Sequence, residues 1–135
     1  RAFAAQFTQN PLPGGPAAWR PGAVNLLDCR IVDTDPTHAG YHAAKRLLHT
    51  FTIQAAREYA PRVRVGGVAP GLILPPPGQG DEYLARLAES NFLQTWGEAA
   101  EVARTARFLL ESPFITGQTI FVDGGRHLRG SAYGL

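Results

Sequence analysis

A chain of 135 residues is long enough for one ordinary domain with a sizeable core, so neither a metal ion nor a disulfide is required for stability. Apolar residues make up 44% of the chain and charged residues 18%, a balance that excludes an intrinsically disordered protein. The net charge is only +2 with scattered arginines, and no apolar run reaches the length of a membrane span, so we expect neither a nucleic-acid partner nor a membrane.

The first residues and the cysteine content bear on the origin of the chain. Residues 1–7 have the pattern of the end of an amphipathic helix, without a cap or a starting methionine. We therefore expect a fragment, a processed product or one partner of a split protein. The single cysteine, Cys29, cannot form an internal disulfide, which fits a reducing compartment and a cytoplasmic location.

The first half of the chain predicts a loop, a strand and a long helix. Residues 9–21 are rich in proline and glycine, which is typical of a surface loop. Residues 23–27 form a short, nearly continuous apolar run, as expected for a buried parallel strand. The polar residues 29–39 predict a second loop. From residue 40 to 59 apolar side chains recur at three- and four-residue spacing, which predicts a helix that Pro61 ends.

The second half predicts two further strands. One strand is predicted over residues 63–69, ended by Pro70 and Gly71, and another over residues 118–122. Between them lie a loop over residues 75–80 and two helices over residues 81–90 and 98–111. The alternation of strands and helices predicts an α/β fold with a parallel sheet.

Three side chains of this pattern could carry proton chemistry. Lys45, the only lysine of the chain, follows Tyr41 by four residues, so both should lie on one helical face. An ammonium group beside a phenol should lower the pKa of Tyr41 and help it to exchange a proton near neutral pH. Asp28 follows the first strand and should lie on the same rim, where open α/β sheets hold ligands. The alternatives are an ordinary exposed pair for Tyr41 and Lys45, and a turn or cap residue for Asp28.

Four stretches of sequence, taken together, resemble the short-chain dehydrogenase/reductase family. They are residues 25–28 (NLLD), 40–45 (GYHAAK), 63–71 (VRVGGVAPG) and 114–125 (FITGQTIFVDGG). The resemblance covers nearly the whole chain. It implies the C-terminal, catalytic half of a doubly wound, Rossmann-like parallel-sheet domain over residues 1–135, with the N-terminal dinucleotide-binding half absent.

The resemblance also assigns roles to individual residues. In that family Tyr41 would donate the proton, and Lys45 would hold the nicotinamide ribose while tuning Tyr41. Both residues would contact the cofactor. The backbone around Pro70, Gly71 and Ile73 would lie against the nicotinamide. The cofactor would be NADPH or NADH, and family resemblance alone favours NADPH. One departure is Gly66, which stands where the family usually has Asn and leaves the local packing in question.

The position of Asp28 separates the candidate functions. The family usually has serine there, and an aspartate resembles the pteridine-reductase branch, which includes dihydrofolate and dihydromonapterin reductases. We therefore expect an NAD(P)H-dependent reductase of a pterin-type substrate, with Asp28 assisting the proton path. A carbonyl reductase or alcohol dehydrogenase of the same family is the first alternative, although an ionised carboxylate cannot donate a hydrogen bond to a carbonyl as serine does. A non-catalytic fragment or assembly subunit is the second.

The family resemblance further implies association of subunits. Leu48, Phe51 and Ala55 on the helix that carries Tyr41 could face a twin subunit, together with the helix that ends near Phe7. The alternative is that these three side chains belong to the core of the chain itself. Residues 118–135 could form a second contact. We expect a dimer or tetramer, and a separate N-terminal chain is a further possibility.

Two histidines have the spacing of helical zinc ligands. His38 and His42 lie four residues apart, but no glutamate follows His38 as zinc-binding helices require. We therefore expect two surface histidines and no metal site.

Overall fold

The computed structural model describes residues 20–33 and 36–130. The predicted helix that ends near Phe7, almost all of the predicted loop at 9–21 and the last five residues of the 118–135 segment lie outside these ranges. Within the described part of the chain, no helix is both long and apolar enough to cross a bilayer.

Three parallel strands form the sheet, which confirms the predicted α/β class. They are β1 (Gly22–Leu26), β2 (Arg64–Pro70) and β3 (Thr119–Val122), in the spatial order β1-β2-β3. Each strand begins within one residue of its predicted position. The central strand is buried up to its last residue because it has a neighbour on both sides.

Within the described residues three α-helices accompany the sheet, close to the positions predicted over 40–59, 81–90 and 98–111. They are α1 (Ala39–Glu58), α2 (Asp81–Leu87) and α3 (Ala99–Glu111), and a 3₁₀ turn over Ala88–Ser90 extends α2. The predicted loop at 29–39 instead contains two 3₁₀ turns, Cys29–Val32 and Pro36–His38. A fourth 3₁₀ turn, Arg126–Gly130, was not predicted because it follows the last periodic segment.

The core lies between α1 and the sheet. One buried cluster joins Ala55 and Ala56 of α1 to Val63 and Val65. Ala55 is only 2% exposed, so its predicted place on a subunit interface is wrong. The three-residue spacing marks an apolar face of the helix but does not say whether the chain itself covers it.

A second core cluster explains Leu48. Leu48 packs with Phe121 against the buried side chains of Leu27, Ile31 and Ala69. Much of its surface therefore contacts the chain's own core, which weakens its predicted place in a subunit contact.

Gly66 is a site of close packing. A Cβ atom at this position would lie 3.3 Å from both the Gln118 carbonyl oxygen and Leu109 Cδ1. The glycine thus allows α3 to approach the central strand closely, which accounts for the departure from the family pattern.

The amino end of β2 is tied to α3 by a buried arginine. Arg64 is 6% exposed, and its guanidinium donates to the carbonyl oxygens of Leu109, Leu110 and Ser112 at 2.6–2.7 Å. It also donates to the Arg20 carbonyl at 3.0 Å. The last carbonyls of a helix lack partners within the helix, so this contact fixes the end of α3.

Candidate active site

Asp28 follows β1 by two residues and has two roles. Its Oδ1 accepts a hydrogen bond of 2.8 Å from the backbone N–H of Arg30, which caps the 3₁₀ turn Cys29–Val32. The Arg30 guanidinium lies 3.3 Å from Oδ1 and 3.4 Å from Oδ2. Asp28 is therefore a cap residue, as the alternative interpretation of the sequence predicted. Part of its carboxylate still faces α1.

Tyr41 occupies that remaining side of the carboxylate. Its hydroxyl donates a 3.0 Å hydrogen bond to Asp28 Oδ2, although the two residues are 13 positions apart. The Tyr41 side chain is 46% exposed, so it is also open to solvent or to a ligand.

Lys45 lies one turn further along α1. Its Nζ donates to the carbonyl oxygen of Leu26, the last residue of β1, at 2.8 Å and lies 5.7 Å from the centre of the Tyr41 ring. The structure therefore brings Asp28, Tyr41 and Lys45 together at the carboxyl edge of the sheet, as the sequence predicts.

The electrostatics of Tyr41 differ from the prediction. Partial burial, followed by the hydrogen bond to Asp28 and the charge of Asp28, raises the pKa of Tyr41 above its ordinary value. The expected lowering by Lys45 is wrong in this structure because the nearby carboxylate accepts the phenol hydrogen and favours the protonated form. The Tyr41 phenol is therefore protonated and neutral at physiological pH.

Asp28 itself stays ionised. Burial alone would raise the pKa of Asp28, but hydrogen bonds from the Arg30 backbone and guanidinium, the Arg30 charge and the Tyr41 hydroxyl together lower it. Its neighbour Cys29 is buried, and burial together with the charges of Asp28 and Asp123 raises the pKa of its thiol to about 12. Cys29 is thus a packed thiol rather than a nucleophile.

Pro70 and Gly71 lie at the same edge, where β2 ends. The Gly71 N–H donates to the Val122 carbonyl at 2.9 Å, and a Cβ atom on Gly71 would lie 2.6 Å from Asp123 Cβ. Only glycine allows this approach of two backbones. Ile73 lies against Gly97, since a Cβ there would come within 3.0 Å of Ile73 Cδ1.

A cavity of about 240 Å³ opens beside Asp28. Its polar lining comes from five side chains: Asp28, Arg30, Tyr83, Ser90 and Arg126. Leucines 72, 74 and 87 contribute apolar walls. The sequence analysis missed Tyr83, Ser90 and Arg126. For Arg126 one signal existed, because it follows the carboxyl end of the third predicted strand.

The two histidines do not share one environment. His38 is exposed as predicted, but His42 is only 3% exposed, so the surface assignment is wrong for His42. Both ring nitrogens of His42 are buried without a hydrogen-bond partner in the described part of the chain. Among residues 20–33 and 36–130, no group of three His, Cys, Asp or Glu side chains could hold a metal ion.

Comparison with known proteins places these features in one family. A family model described as enoyl-(acyl carrier protein) reductase matches residues 23–127. Dihydromonapterin reductase of Citrobacter koseri is 39% identical over 106 residues, which are 78% of this chain and 44% of that protein. Carbonyl reductase family member 4 of Danio rerio is 47% identical over 94 residues, 65% of this chain and 37% of that protein.

A solved structure agrees with these sequence matches. FolM alternative dihydrofolate reductase 1 from Brucella suis, in complex with NADP, has a TM-score of 0.74 and 37% identity. The match covers 84% of this chain and 46% of that one. The chain thus spans less than half the length of each of these relatives.

Proposed function

This chain belongs to the short-chain dehydrogenase/reductase family, and we propose that it carries the proton-transfer residues of an NADPH-dependent reductase of pterin-type substrates. The observation that carries the proposal is the 3.0 Å hydrogen bond from Tyr41 to Asp28, with Lys45 on the next turn of α1. A proton donor, a fixed carboxylate and a cation meet there at the carboxyl edge of a parallel sheet, where such folds bind ligands.

The residues at this edge fit a nicotinamide ribose. An ammonium group has three N–H donors, and within the described residues Lys45 uses one of them on the Leu26 carbonyl. The other two are free to donate to ribose hydroxyls. In our proposal the backbone of Pro70, Gly71 and Ile73 flanks the nicotinamide. The bound NADP of the Brucella suis relative supports the choice of NADPH.

Tyr41 would complete the reduction of a C=N bond. A bound reduced nicotinamide would supply the hydride for the carbon, and Tyr41 would give its hydroxyl proton to the nitrogen. Because the pKa of Tyr41 is raised, the hydroxyl keeps this proton through neutral pH until the substrate takes it. The half-exposed phenolate then regains a proton from water.

Asp28 supports a pterin over a simple ketone. Its lowered pKa keeps the carboxylate ionised, so it accepts hydrogen bonds from N–H groups and donates none. Pterins present such N–H groups, whereas a ketone presents only an acceptor. The resemblance to a dihydromonapterin reductase and to FolM points the same way.

A carbonyl reductase is the second candidate, favoured by the 47% identity to the Danio rerio protein. Steady-state kinetics of Asp28→Ser in the full-length protein separates the two. We expect kcat/KM for a dihydropterin to fall by more than about tenfold, the cost of one charge-assisted hydrogen bond, with a smaller change for a simple ketone. Asp81→Ser, on the exposed first turn of α2, is the matched control.

Equal losses for both substrates would overturn the pterin assignment and leave a carbonyl reductase. A wild-type protein that reduces neither substrate would support the remaining alternative, a non-catalytic fragment or assembly subunit.

Assembly and location complete the proposal. On α1, Leu47 is 71% exposed and Phe51 is 48% exposed, which supports a dimer or tetramer built through this helix. Sedimentation of Leu47→Asp, which should shift the protein to a smaller species, tests the contact. A reduced, buried Cys29 is compatible with the cytoplasm.

A further inference from the structure

The cavity beside Asp28 receives a side chain from the far end of the described chain. Arg126 begins the 3₁₀ turn after β3, and its backbone N–H donates to the Asp123 carbonyl at 3.2 Å. Its guanidinium lines the same cavity as Asp28 and donates to Ser90 Oγ at 2.6 Å. The turn thus fixes the backbone of Arg126, and Ser90 holds its guanidinium.

The charges around the cavity do not balance. Among the described residues that line the cavity, Asp28 is the only acidic side chain, and Arg30 is within 3.3–3.4 Å of both of its oxygens. Arg126 adds a second positive charge, and the partner that it contacts, Ser90, is neutral. The lining therefore carries a surplus of positive charge beside a carboxylate that is already paired.

The donors of Arg126 are also not exhausted. A guanidinium has five N–H donors in a planar fork that suits oxygen acceptors. Within residues 20–33 and 36–130, the hydrogen bond to Ser90 uses one of them. The cavity therefore presents a cationic donor, Arg126, beside the ionised Asp28 carboxylate, to whatever it binds.

We propose that Arg126 is a specificity-determining residue that donates to the ring carbonyl oxygen of the substrate. This inference rests on the proposed function. The lactam edge of a pterin carries an N–H next to a C=O group, which complements a carboxylate and a guanidinium. At about 240 Å³ the cavity is below the usual volume for drug-sized ligands, so it suits the ring rather than a long substituent. Ser90 is a positioning residue that orients the guanidinium.

Steady-state kinetics of Arg126→Ala with dihydromonapterin and with dihydrofolate tests the assignment in the full-length protein. Both substrates share the ring, and only dihydrofolate carries an acidic tail. We expect KM to rise by about tenfold or more for both, as for loss of a charge-assisted hydrogen bond, with kcat nearly unchanged. Ser90→Ala should raise KM less. Arg129→Ala, an exposed arginine of the same 3₁₀ turn that stacks on Phe92, is the control and should leave KM unchanged.

Each contrary result is informative. Unchanged KM for both substrates would overturn the inference, and an effect confined to dihydrofolate would overturn the ring-carbonyl assignment. Arg126→Gln, which keeps a donor for Ser90, repeats the test if the alanine variant unfolds.

Calorimetric titration with the same two ligands separates this inference from the proposed function. A protein that binds the pterin through Arg126 without reducing it would refute only the proposed function. A wild-type protein that binds neither ligand would refute both.

Discussion

Two cations at opposite ends of the sheet use their hydrogen bonds differently. At the amino end of β2, Arg64 places all five N–H donors on four carbonyl oxygens at 2.6–3.3 Å. At the carboxyl end of β1, Lys45 makes one such bond, to Leu26, among the described residues. A cation whose N–H donors are all bonded to the protein holds structural elements together. A cation with unused N–H donors is available to bind a ligand. This difference supports our proposal that the carboxyl edge of the sheet is the reactive end.

The same contrast extends to the neighbouring groups. The groups around Arg64 are backbone carbonyls, which do not titrate in the physiological range. The groups near Lys45 are Tyr41 and Asp28, whose pKa values are shifted in opposite directions, the phenol raised and the carboxyl lowered. Such oppositely shifted pairs are typical of catalytic sites.

Removing the proton donor should produce the largest effect at the reactive end. Tyr41→Phe should lower kcat by about 10²- to 10⁴-fold, the usual contribution of a general acid. Cofactor affinity should stay nearly the same, because the aromatic ring and Lys45 remain. Steady-state kinetics and cofactor titration measure the two quantities. Tyr59→Phe, which packs against the α1 core cluster away from this edge, is the control. Unchanged turnover in Tyr41→Phe would show that Tyr41 is not the proton donor.

Replacing Arg64, whose N–H donors are all used, should lower stability rather than activity. Arg64→Met leaves four carbonyl oxygens without their donor, and we expect a loss of about 3 kcal/mol in the free energy of unfolding. KM values of the folded fraction should not change. Denaturant unfolding measures the loss. Arg107→Met, on the exposed face of α3, should change stability by less than about 0.5 kcal/mol. A stable Arg64→Met variant with altered KM would contradict the purely structural role of Arg64.

Replacing Lys45, which has unused N–H donors, should weaken cofactor binding and leave stability nearly unchanged. Lys45→Met should raise the dissociation constant of NADPH by about tenfold, the loss of roughly one charge-assisted hydrogen bond, and lower kcat. The melting temperature should change little, because only the Leu26 contact is lost. Cofactor titration and thermal unfolding on the same sample give both values. A large fall in melting temperature with unchanged cofactor affinity would make Lys45 a structural residue like Arg64.

The smallest expected effect is a shift in pH dependence. Activity requires protonated Tyr41, so it should fall as the pH rises through the Tyr41 pKa, which lies above the ordinary value. Burial is the largest cause of the raised pKa of Tyr41, and the hydrogen bond and charge of Asp28 come next. Asp28→Asn removes this charge. The basic limb of the kcat/KM profile should therefore move to lower pH. The phenolate absorbance, measured as a difference from Tyr41→Phe, gives the pKa directly, and a shift to higher pH contradicts the assignment.

The strands and helices could be predicted because their signals are local. The apolar runs at 23–27 and 63–69 match β1 and β2 within one residue, and the periodicity at 40–59 matches α1. The convergence of Asp28, Tyr41 and Lys45 was also predictable, since parallel strands bring their carboxyl ends to one edge.

The long-range contacts were decided by the tertiary structure alone. The raised pKa of Tyr41 depends on Asp28, 13 positions away, and the hydrogen bond of Arg126 joins it to Ser90, 36 positions away. The burial of Ala55 and His42 likewise depends on which side chains pack against them. Spacing along the chain gives the face of a helix, but the charge, solvent exposure and hydrogen-bond partners of a group are set by its neighbours in space. For this reason the sequence alone determined the candidate catalytic trio, while the fold decided the proton affinity of Tyr41 and brought Arg126 into the cavity beside Asp28.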